Sequence, residues 1–481
     1  MSAMSEAVAL VSLGCAKNLV DSEVMAGLLT AAGYRMTSFP GDADVIVVNT
    51  CAFIGEAQQE AVDTILDLAK HKEAGRCRAL VVTGCLAQRF ASELLAEIPE
   101  IDAVVGTGDF PQIADVVRRA LSGERVRLVG TPCYLYDENA PRILSTPPYM
   151  AYVKIAEGCS NRCSYCVIPD LRGPYRSRPM ESIIAEVRKL ARGGAKELVL
   201  IAQDTTRYGE DIYGRPSLAR LLREICKVDG PRWVRVLYMY PTRVSGELIE
   251  VMASEPKICK YVDLPLQHAD DDILRAMNRR GTSDDARNVI ARFRQAMPGV
   301  TIRSTFIVGF PGETDEKFGR LLDFLKEVRL DRVGVFAYSP QPGTPAARLH
   351  GRVPARVKER RRREAMEVQK AISREKNEAR VGKVFDVLIE GRSEESDLVT
   401  VGRSQAEAPE IDGLIYIGNE HPAPGEFRRV RIVDAGDYDL VGETLTEGAL
   451  VLAPLPVVAG LPVLHSGTAP RAGRLDKIRP V

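Results

Sequence analysis

Short runs of β-branched and aliphatic residues alternate with stretches of helical periodicity over the first 123 residues. The strand-like runs read VALVSL, VIVVNT and ALVVTG, and helical patterns follow them near residues 21–32, 56–71 and 86–98. Alternating strands and helices are typical of a parallel sheet with helices on both of its faces. We therefore predict an N-terminal, doubly wound α/β domain over residues 1–123.

A second series of strand and helix patterns begins after a proline-containing segment, residues 124–148, which we interpret as a linker. Six strand candidates follow and are separated by helical segments: YVKIA, ELVLIA, VRVLYM, YVDLPL, TFIVGF and VGVFAY. Six such units are too few for a closed eight-stranded barrel, so they predict a partial (βα)6 barrel with its chemistry at the C-terminal strand ends. We assign residues 149–380 to this domain.

The C-terminal part of the chain changes from helical to β-type patterning. Residues 381–447 contain short alternating strands punctuated by glycines, which predict a small antiparallel β-barrel. We assign residues 381–453 to this third domain and residues 454–481 to a C-terminal tail.

Charge is balanced overall and uneven locally. The 481 residues include 65 Lys+Arg and 65 Asp+Glu, so the whole chain lacks the charge excess of a polyanion-binding protein. Residues 352–380 carry eleven basic and five acidic residues, which predicts a solvated helix face, with contact to an anionic surface as the alternative. Residues 381–447 carry fifteen acidic and six basic residues.

The chain resembles neither a membrane protein nor a disulfide-stabilised secreted protein. It contains no run of about 18 apolar residues, and its first residues lack a basic segment before an apolar one. Ten cysteines are too few for disulfide bonds to stabilise a chain of this length. We expect a cytoplasmic protein, no membrane partner and a monomer, with cysteines that serve as metal ligands or catalysts.

The most specific motif is GCSNRCSYCVIP, which follows the first predicted barrel strand. It contains Cys159, Cys163 and Cys166 in the spacing C-x3-C-x2-C. A structural zinc site normally has four ligands, whereas a 4Fe-4S cluster held by three cysteines leaves one iron open for another ligand. The segment closely resembles the radical S-adenosylmethionine superfamily. The resemblance implies that this open iron binds S-adenosylmethionine, whose reductive cleavage yields a radical.

A second set of cysteines, Cys15, Cys51 and Cys85, follows directly after the three predicted strands of the first domain. The C-terminal ends of parallel strands meet at one edge of a sheet, so we expect these thiols to converge. They could hold a second open 4Fe-4S cluster, although buried free cysteines often act only as small apolar residues.

The order of the three domains is similar to that of the methylthiotransferases, radical S-adenosylmethionine enzymes with a C-terminal TRAM domain. The resemblance covers residues 8–450. It implies two 4Fe-4S clusters, one on each cysteine set, and S-adenosylmethionine as both radical source and methyl donor. It also implies that the second cluster carries the sulfur that is transferred.

The resemblance also points to residues that bind the cofactor. Tyr165 occupies the aromatic position of the cysteine motif, and Gly193 with Gly194 precedes the strand expected to meet the methionine amine. Gly309 ends the strand TFIVGF in a segment similar to the superfamily's cofactor-binding β5 segment. His268 lies at another strand end, and we interpret it as structural rather than catalytic.

Two branches of the methylthiotransferases modify different substrates. One modifies isopentenyl-adenosine in transfer RNA, and the other modifies the β-carbon of an aspartate in ribosomal protein uS12 of the small subunit. The chain resembles the second branch in VSLGCAKNLVDSE, IAQDTTRYG, YVDLPLQH and AEAPEIDG. The acidic third domain also favours a basic protein over RNA, since phosphate contacts dominate RNA binding. An iron-sulfur electron carrier or scaffold is an alternative of another class.

Overall fold

In the computed structural model, which describes residues 6–445, the first domain is a six-stranded parallel sheet. Its elements are β1 (Ala7–Ser12), α1 (Ala16–Ala31), β2 (Arg35–Thr37), β3 (Val45–Thr50), α2 (Gly55–Ala74), β4 (Ala79–Gly84), α3 (Cys85–Glu97), β5 (Ala103–Val105), α4 (Ile113–Leu121) and β6 (Val126–Leu128). The strand order is β2-β1-β3-β4-β5-β6. The predicted tail, residues 454–481, and the predicted domain end at 453 lie outside the described residues.

Helices cover both faces of this sheet, as the sequence predicts. Val8 and Leu10 of β1 belong to a buried cluster with α1 and α4, whereas Ala9 and Val11 belong to a cluster with α2 and α3. The alternation follows from the two-residue period of a strand, which sends successive side chains to opposite faces. The doubly wound architecture of the first domain is therefore confirmed.

The sheet extends into the segment that the sequence assigned to a linker. Residues 126–128 form β6, which pairs with β5 at the edge of the sheet. This strand has only three residues, with an arginine in the middle, so the sequence shows no hydrophobic period. It is recognised as a strand only by its pairing with β5. The first domain thus continues beyond residue 123.

The second domain is a six-stranded partial barrel surrounded by helices. Its elements are β7 (Met150–Lys154), β8 (Ala156–Glu157), α5 (Ile168–Arg172), β9 (Arg176–Ser177), α6 (Met180–Arg192), β10 (Glu197–Ile201), α7 (Glu210–Tyr213), α8 (Leu218–Cys226), β11 (Trp233–Val236), α9 (Gly246–Ser254), β12 (Tyr261–Asp263), α10 (Asp271–Ala276), α11 (Ser283–Ala296), β13 (Thr301–Val308), α12 (Asp315–Val328), β14 (Arg332–Ala337) and α13 (Ala355–Glu378).

All six predicted barrel strands are present and parallel. They form two three-stranded sheets, β7-β10-β11 and β12-β13-β14, and an isolated bridge between Val234 and Ile258 joins these sheets. No pairing closes β14 onto β7 among the described residues. The barrel is therefore partial, as the count of six units predicts.

The third domain is a closed five-stranded barrel. Its strands are β15 (Val384–Arg392), β16 (Thr400–Arg403), β17 (Ile415–Ile417), β18 (Phe427–Ala435) and β19 (Leu440–Thr444), in the order β15-β16-β17-β19-β18. All pairs are antiparallel except β17 with β19. Alternate apolar residues of these strands, including Val387, Ile415 and Val430, fill the interior. The predicted small β-barrel is confirmed.

One loop of the third domain closes the N-terminal end of the second. Residues 404–412, which we call the plug, lie between β16 and β17. The Arg235 guanidinium donates to the Gln405 carbonyl oxygen at 2.9 Å, and the Tyr261 hydroxyl donates to Asp412 at 2.6 Å. Glu407 forms ion pairs with Arg332 and Arg380. The opposite, C-terminal end of the barrel faces the first domain.

The basic run of the sequence forms α13, which packs against β14 and α12. Arg361 of this helix is buried and pairs with Glu313 and Asp315 at 2.8 Å. Its neighbours Arg360 and Arg363 are exposed and pair with acidic residues at the surface. In the part of the chain that the structure describes, no helix is long and apolar enough to cross a membrane.

Candidate active site between the first two domains

Cys15, Cys51 and Cys85, the first cysteine set, lie at one edge of the N-terminal sheet. Cys15 precedes α1, Cys51 follows β3, and Cys85 begins α3. Because β1, β3 and β4 are adjacent and parallel, their C-terminal ends meet here. The three thiols are close enough to act on one another electrostatically. The structure thus brings together the cysteines that the sequence predicts to converge.

Glycines allow the loops of this set to approach closely. Gly14 and Gly84, which directly precede Cys15 and Cys85, both have φ of +91°. A Cβ at Gly14 would lie 2.8 Å from the Cβ of Cys51, and one at Gly84 would lie 2.6 Å from the Thr50 carbonyl oxygen. Glycine alone meets both requirements, the positive φ and the missing side chain.

Asn18 fixes the loops of the first set to one another. Its side-chain amide donates to the carbonyl oxygens of Leu13 at 3.0 Å and Thr50 at 2.9 Å. Its carbonyl oxygen lies 3.9 Å from the Cys85 sulfur. One buried side chain therefore contacts the segments that carry all three cysteines, a role that sequence reasoning did not find.

Burial raises the pKa of these thiols, and neighbouring charges increase or oppose this effect. Burial raises the pKa of Cys51 to about 12, and the nearby Cys15 and Cys85 add to the increase. Burial also raises the pKa of Cys85. At Cys15 burial is outweighed by the positive charges of Lys17 and Arg172, so the pKa of this thiol is lowered. Iron bound among the thiolates would remove their mutual repulsion, and this donor set therefore fits a cluster.

Cys159, Cys163 and Cys166, the second cysteine set, lie in the loop after β8, at the C-terminal end of the barrel. The Cys159 amide donates to Gly173 O at 3.1 Å, and the Cys166 amide donates to Cys163 O at 3.0 Å. Burial raises the pKa of Cys159 to about 11 and raises that of Cys166 as well. Arg279 contributes a positive charge, with its guanidinium 3.9 Å from the Cys163 sulfur.

None of the ten cysteines forms a disulfide bond. Among the described residues, no three His, Cys, Asp or Glu side chains are arranged to hold a single metal ion. Cluster ligands bind different irons, so they stand farther apart than the ligands of one ion.

Tyr165 and Gly309 lie at the same end of the barrel as the second cysteine set. Tyr165 packs against a cluster that contains Met277 and Phe310, the residue after Gly309. The Gly309 amide donates to the Glu313 carboxylate at 2.9 Å. The structure therefore places both of these predicted residues beside the cysteine motif.

Gly193 and Gly194 lie at the opposite end of the barrel. They precede β10, and the nearest atom to a Cβ built at Gly194 is the Pro148 carbonyl oxygen before β7, at 4.0 Å. The cysteine motif follows the C-terminal end of β7, and β7 and β10 are parallel. The prediction that these glycines meet the cofactor is therefore corrected, because a residue that precedes a parallel strand lies at the wrong end of it.

Gln203 and Asp204 occupy the C-terminal end of β10 instead. Asp204 accepts a hydrogen bond of 2.9 Å from Asn161, which lies between the first two cysteines of the motif. The side-chain nitrogen of Gln203 is buried and has no hydrogen-bond partner among the described residues. This donor is free to bind a ligand at the C-terminal end of β10. IAQDTTRYG was recognised in the sequence, but these two positions were not singled out.

A buried charge network joins the two cysteine sets across the domain boundary. Arg172, at the end of α5, pairs with Asp21 at 3.0 Å and Glu157 at 3.1 Å, and it also donates to Asn18. Lys154 pairs with the same two carboxylates. All of these side chains are nearly inaccessible to solvent. The network holds the N-terminal sheet edge against the cysteine loop of the barrel.

His268 has the structural role expected from the sequence. Its Nδ1 accepts a 2.9 Å hydrogen bond from the Asp270 amide, and its Nε2 lies 3.2 Å from Glu313. Both nitrogens are thus occupied within the protein, and the ring is 1% exposed.

Comparisons with known proteins agree with this architecture. Residues 7–106 match the uncharacterized protein family UPF0004, residues 153–325 match the radical SAM superfamily, and residues 381–445 match the TRAM domain. A ribosomal protein uS12 methylthiotransferase RimO from Pelotomaculum thermopropionicum is 53% identical over 91% of this chain and 99% of its own. The protein of that name from Geobacter sulfurreducens is 51% identical over 93% of this chain and all of its own.

The chain belongs to the RimO family of methylthiotransferases. It is accordingly a radical S-adenosylmethionine enzyme, and the electron-carrier alternative is excluded. The RimO family assignment also fits the order of the three domains, since each matched segment lies within one of the folded units described above.

Solved structures support the fold alone. The radical S-adenosylmethionine methyltransferase TsrM from Kitasatospora setae, with cobalamin and a [4Fe-4S] cluster bound, superposes with a TM-score of 0.54 at 17% identity. The match covers 72% of this chain and 74% of that chain. A second structure of TsrM, with tryptophan and a cofactor analogue, gives a TM-score of 0.52 at 16% identity over 71% of this chain and 75% of that chain.

Proposed function

We propose that this protein inserts a methylthio group at the β-carbon of an aspartate in ribosomal protein uS12. The observation that carries the proposal is the meeting of two three-cysteine sets at facing edges of two domains, joined by the Arg172 network. RimO relatives about half identical over most of the chain support the same reaction.

The two cysteine sets have different roles in this proposal. Cys159, Cys163 and Cys166 would hold the 4Fe-4S cluster that binds S-adenosylmethionine, with Tyr165, Gln203 and Gly309 beside the cofactor. Cys15, Cys51 and Cys85 would hold the second cluster. When bound, these groups supply the electron, the carbon-centred radical, the sulfur and the methyl group.

The protein's own contribution is to position the two sets and to exclude water from the space between them. Asn18 ties the loops of the first set together, and Arg172 fixes that edge to the loop of the second set. A reactive radical requires a site from which water and competing groups are excluded. The buried ion pairs of Arg172 and Lys154 exclude water on one side of this space.

We infer that the protein substrate, rather than transfer RNA, is modified. The RimO-like motifs support this choice, and acidic side chains such as Glu395 and Asp397 are exposed on the loop between β15 and β16. These side chains would repel the phosphates of RNA. We further infer that the protein works as a monomer in the cytoplasm, on free uS12 or on the small subunit.

The test is a competition in one reaction vessel. Anaerobically reconstituted protein, S-adenosylmethionine and a reductant are incubated with uS12 and with isopentenyl-adenosine-containing transfer RNA, and both products are analysed by mass spectrometry. A methylthio group on one uS12 aspartate is expected. Modification of the adenosine alone would assign the protein to the transfer-RNA branch. Modification of neither substrate would contradict the proposal.

A further inference from the structure

Lys17 differs from every other deeply buried cation in the described residues. Eight Lys and Arg residues are less than 9% exposed: Lys17, Lys154, Arg172, Arg178, Arg235, Arg332, Arg361 and Arg403. Seven of them have a carboxylate partner within 4.0 Å. Lys17 is 4% exposed and has no such partner in residues 6–445.

The position of Lys17 connects it to both domains of the site. It lies on the first turn of α1, two residues after Cys15 of the first cysteine set. Its Nζ lies 3.3 Å from the centroid of the Tyr238 ring. Tyr238 follows β11, at the end of the barrel where the second cysteine set also lies. The ammonium group therefore lies between the first cysteine set and the C-terminal end of the barrel.

Tyr238 is held in place by the barrel. Its backbone has φ of +61°, its amide donates to Asp263 at 2.8 Å, and its carbonyl oxygen accepts from the Thr205 amide at 3.0 Å. A positive φ is uncommon for a tyrosine, and such strain is often found at functional sites. The ring thus forms a fixed platform under the ammonium.

Lys17 is a buried residue whose ammonium lies beside an aromatic ring but has no carboxylate within 4.0 Å among the described residues. A cation-π contact offsets only part of the free energy needed to remove an ion from water. Each of the other seven buried cations of residues 6–445 has a carboxylate that compensates its charge. An anionic group from outside the chain would complete the environment of Lys17 in the same way.

We propose that Lys17 binds the side-chain carboxylate of the target aspartate of uS12. This inference rests on the proposed function and names a substrate-positioning residue within it. The β-carbon of aspartate is bonded directly to the carboxylate carbon, so an ion pair at Lys17 would hold the reacting carbon beside the first cysteine set. It also explains recognition of aspartate, since asparagine would leave the ammonium without a counter-charge.

The experiment compares uS12 with a uS12 variant in which the target aspartate is replaced by asparagine. Dissociation constants of both are measured by fluorescence anisotropy on reconstituted wild-type protein, K17M, K17R and K70M, with iron content determined for each. Lys17→Met keeps the length of the side chain and removes its charge. Lys70, an exposed lysine of α2, provides the matched control.

We expect wild type and K70M to bind aspartate-containing uS12 about tenfold more tightly than the asparagine form, or better. K17M should bind both forms equally at the weaker level, and K17R should retain most of the preference. If K17M keeps the full preference, or wild type has none while it still modifies uS12, the assignment is overturned. If K17M fails to fold, the two uS12 forms can still be compared on wild-type protein, and equal affinity for both would overturn the assignment.

Two other outcomes are distinguishable from these. Weaker binding of S-adenosylmethionine by K17M, with the aspartate preference unchanged, would overturn the inference and assign Lys17 to the cofactor's carboxylate. If wild-type protein leaves uS12 unmodified, the proposed function itself fails, and the role of Lys17 in binding uS12 fails with it.

Discussion

Cys159, Cys163 and Cys166 lie at the C-terminal end of the barrel, beside Tyr165, Gln203 and Gly309. We predict that their simultaneous replacement by alanine lowers the iron content from about eight to about four per chain, since one of two 4Fe-4S clusters is lost. Cleavage of S-adenosylmethionine to 5′-deoxyadenosine should stop. Iron assay and chromatography of the nucleoside check this, and continued cleavage would refute the role of these cysteines.

Cys15, Cys51 and Cys85 are expected to give the complementary result. Their replacement by alanine should also remove about four irons, but it should spare the reductive cleavage of S-adenosylmethionine because the second set is intact. Methylthiolation of uS12 should be lost. Cys133, an exposed thiol that belongs to neither set, gives the control substitution. Methylthiolated product from the triple variant would exclude the first set from the reaction.

The cysteines were accessible to sequence reasoning because each lies directly after a recognisable strand, and parallel strands end at a common edge. Asn18, Lys17 and Arg172 were not, because their roles depend on contacts between residues far apart in the chain. Arg172, for example, contacts Asp21 across 151 positions. Periodicity reports which face of an element is buried but not which element of another domain covers it.

The plug is the element that fixes the third domain to the barrel. Glu407 accepts hydrogen bonds from Arg380 at 2.7 Å, from Arg332 at 3.2 Å and from the Ser404 hydroxyl at 2.6 Å. Although burial opposes ionisation, these arginines and the hydroxyl lower the pKa of Glu407 to about 2. The carboxylate is therefore charged at neutral pH and stabilises the folded state.

We predict that Glu407→Gln destabilises the protein by about 3 kcal/mol at pH 7, because it leaves two arginines beside a neutral group. The folded pKa is lower than that of an unfolded glutamate, so this stabilisation is present above about pH 4.5 and is lost as pH falls towards 2. Melting temperatures of wild type and variant should thus converge in acid. Equal differences at pH 7 and pH 3 would contradict the account, and Glu443→Gln on β19 is the exposed control.

At the scale of elements, long periodic segments were predicted better than their ends. All six barrel strands were found from their apolar runs, whereas β6 was missed because it is short and lies at an edge. Gly193 and Gly194 were misplaced for a related reason. The sequence shows that these glycines lie next to β10. Only the parallel pairing of β10 with β7 shows which end of β10 faces the cysteines.

At the scale of the whole molecule, net charge overstates the acidity of the third domain's surface. Glu407 and Asp412 face the barrel, where their partners include Arg332 and Tyr261, so their charges do not reach a partner molecule. The surface that remains carries both signs, with Arg428 exposed on β18. The choice of a protein substrate therefore depends more on the RimO-like motifs and on the carboxylate proposed at Lys17.

The most direct test of the account is mass spectrometry of small-subunit proteins and transfer RNA from cells that lack the gene and from cells that overexpress it. We expect a methylthio group on one aspartate of uS12 that is absent without the gene and restored with it. Transfer RNA should be unchanged. A methylthio group that depends on the gene but lies on adenosine, or an unmodified uS12 in all cells, would contradict it.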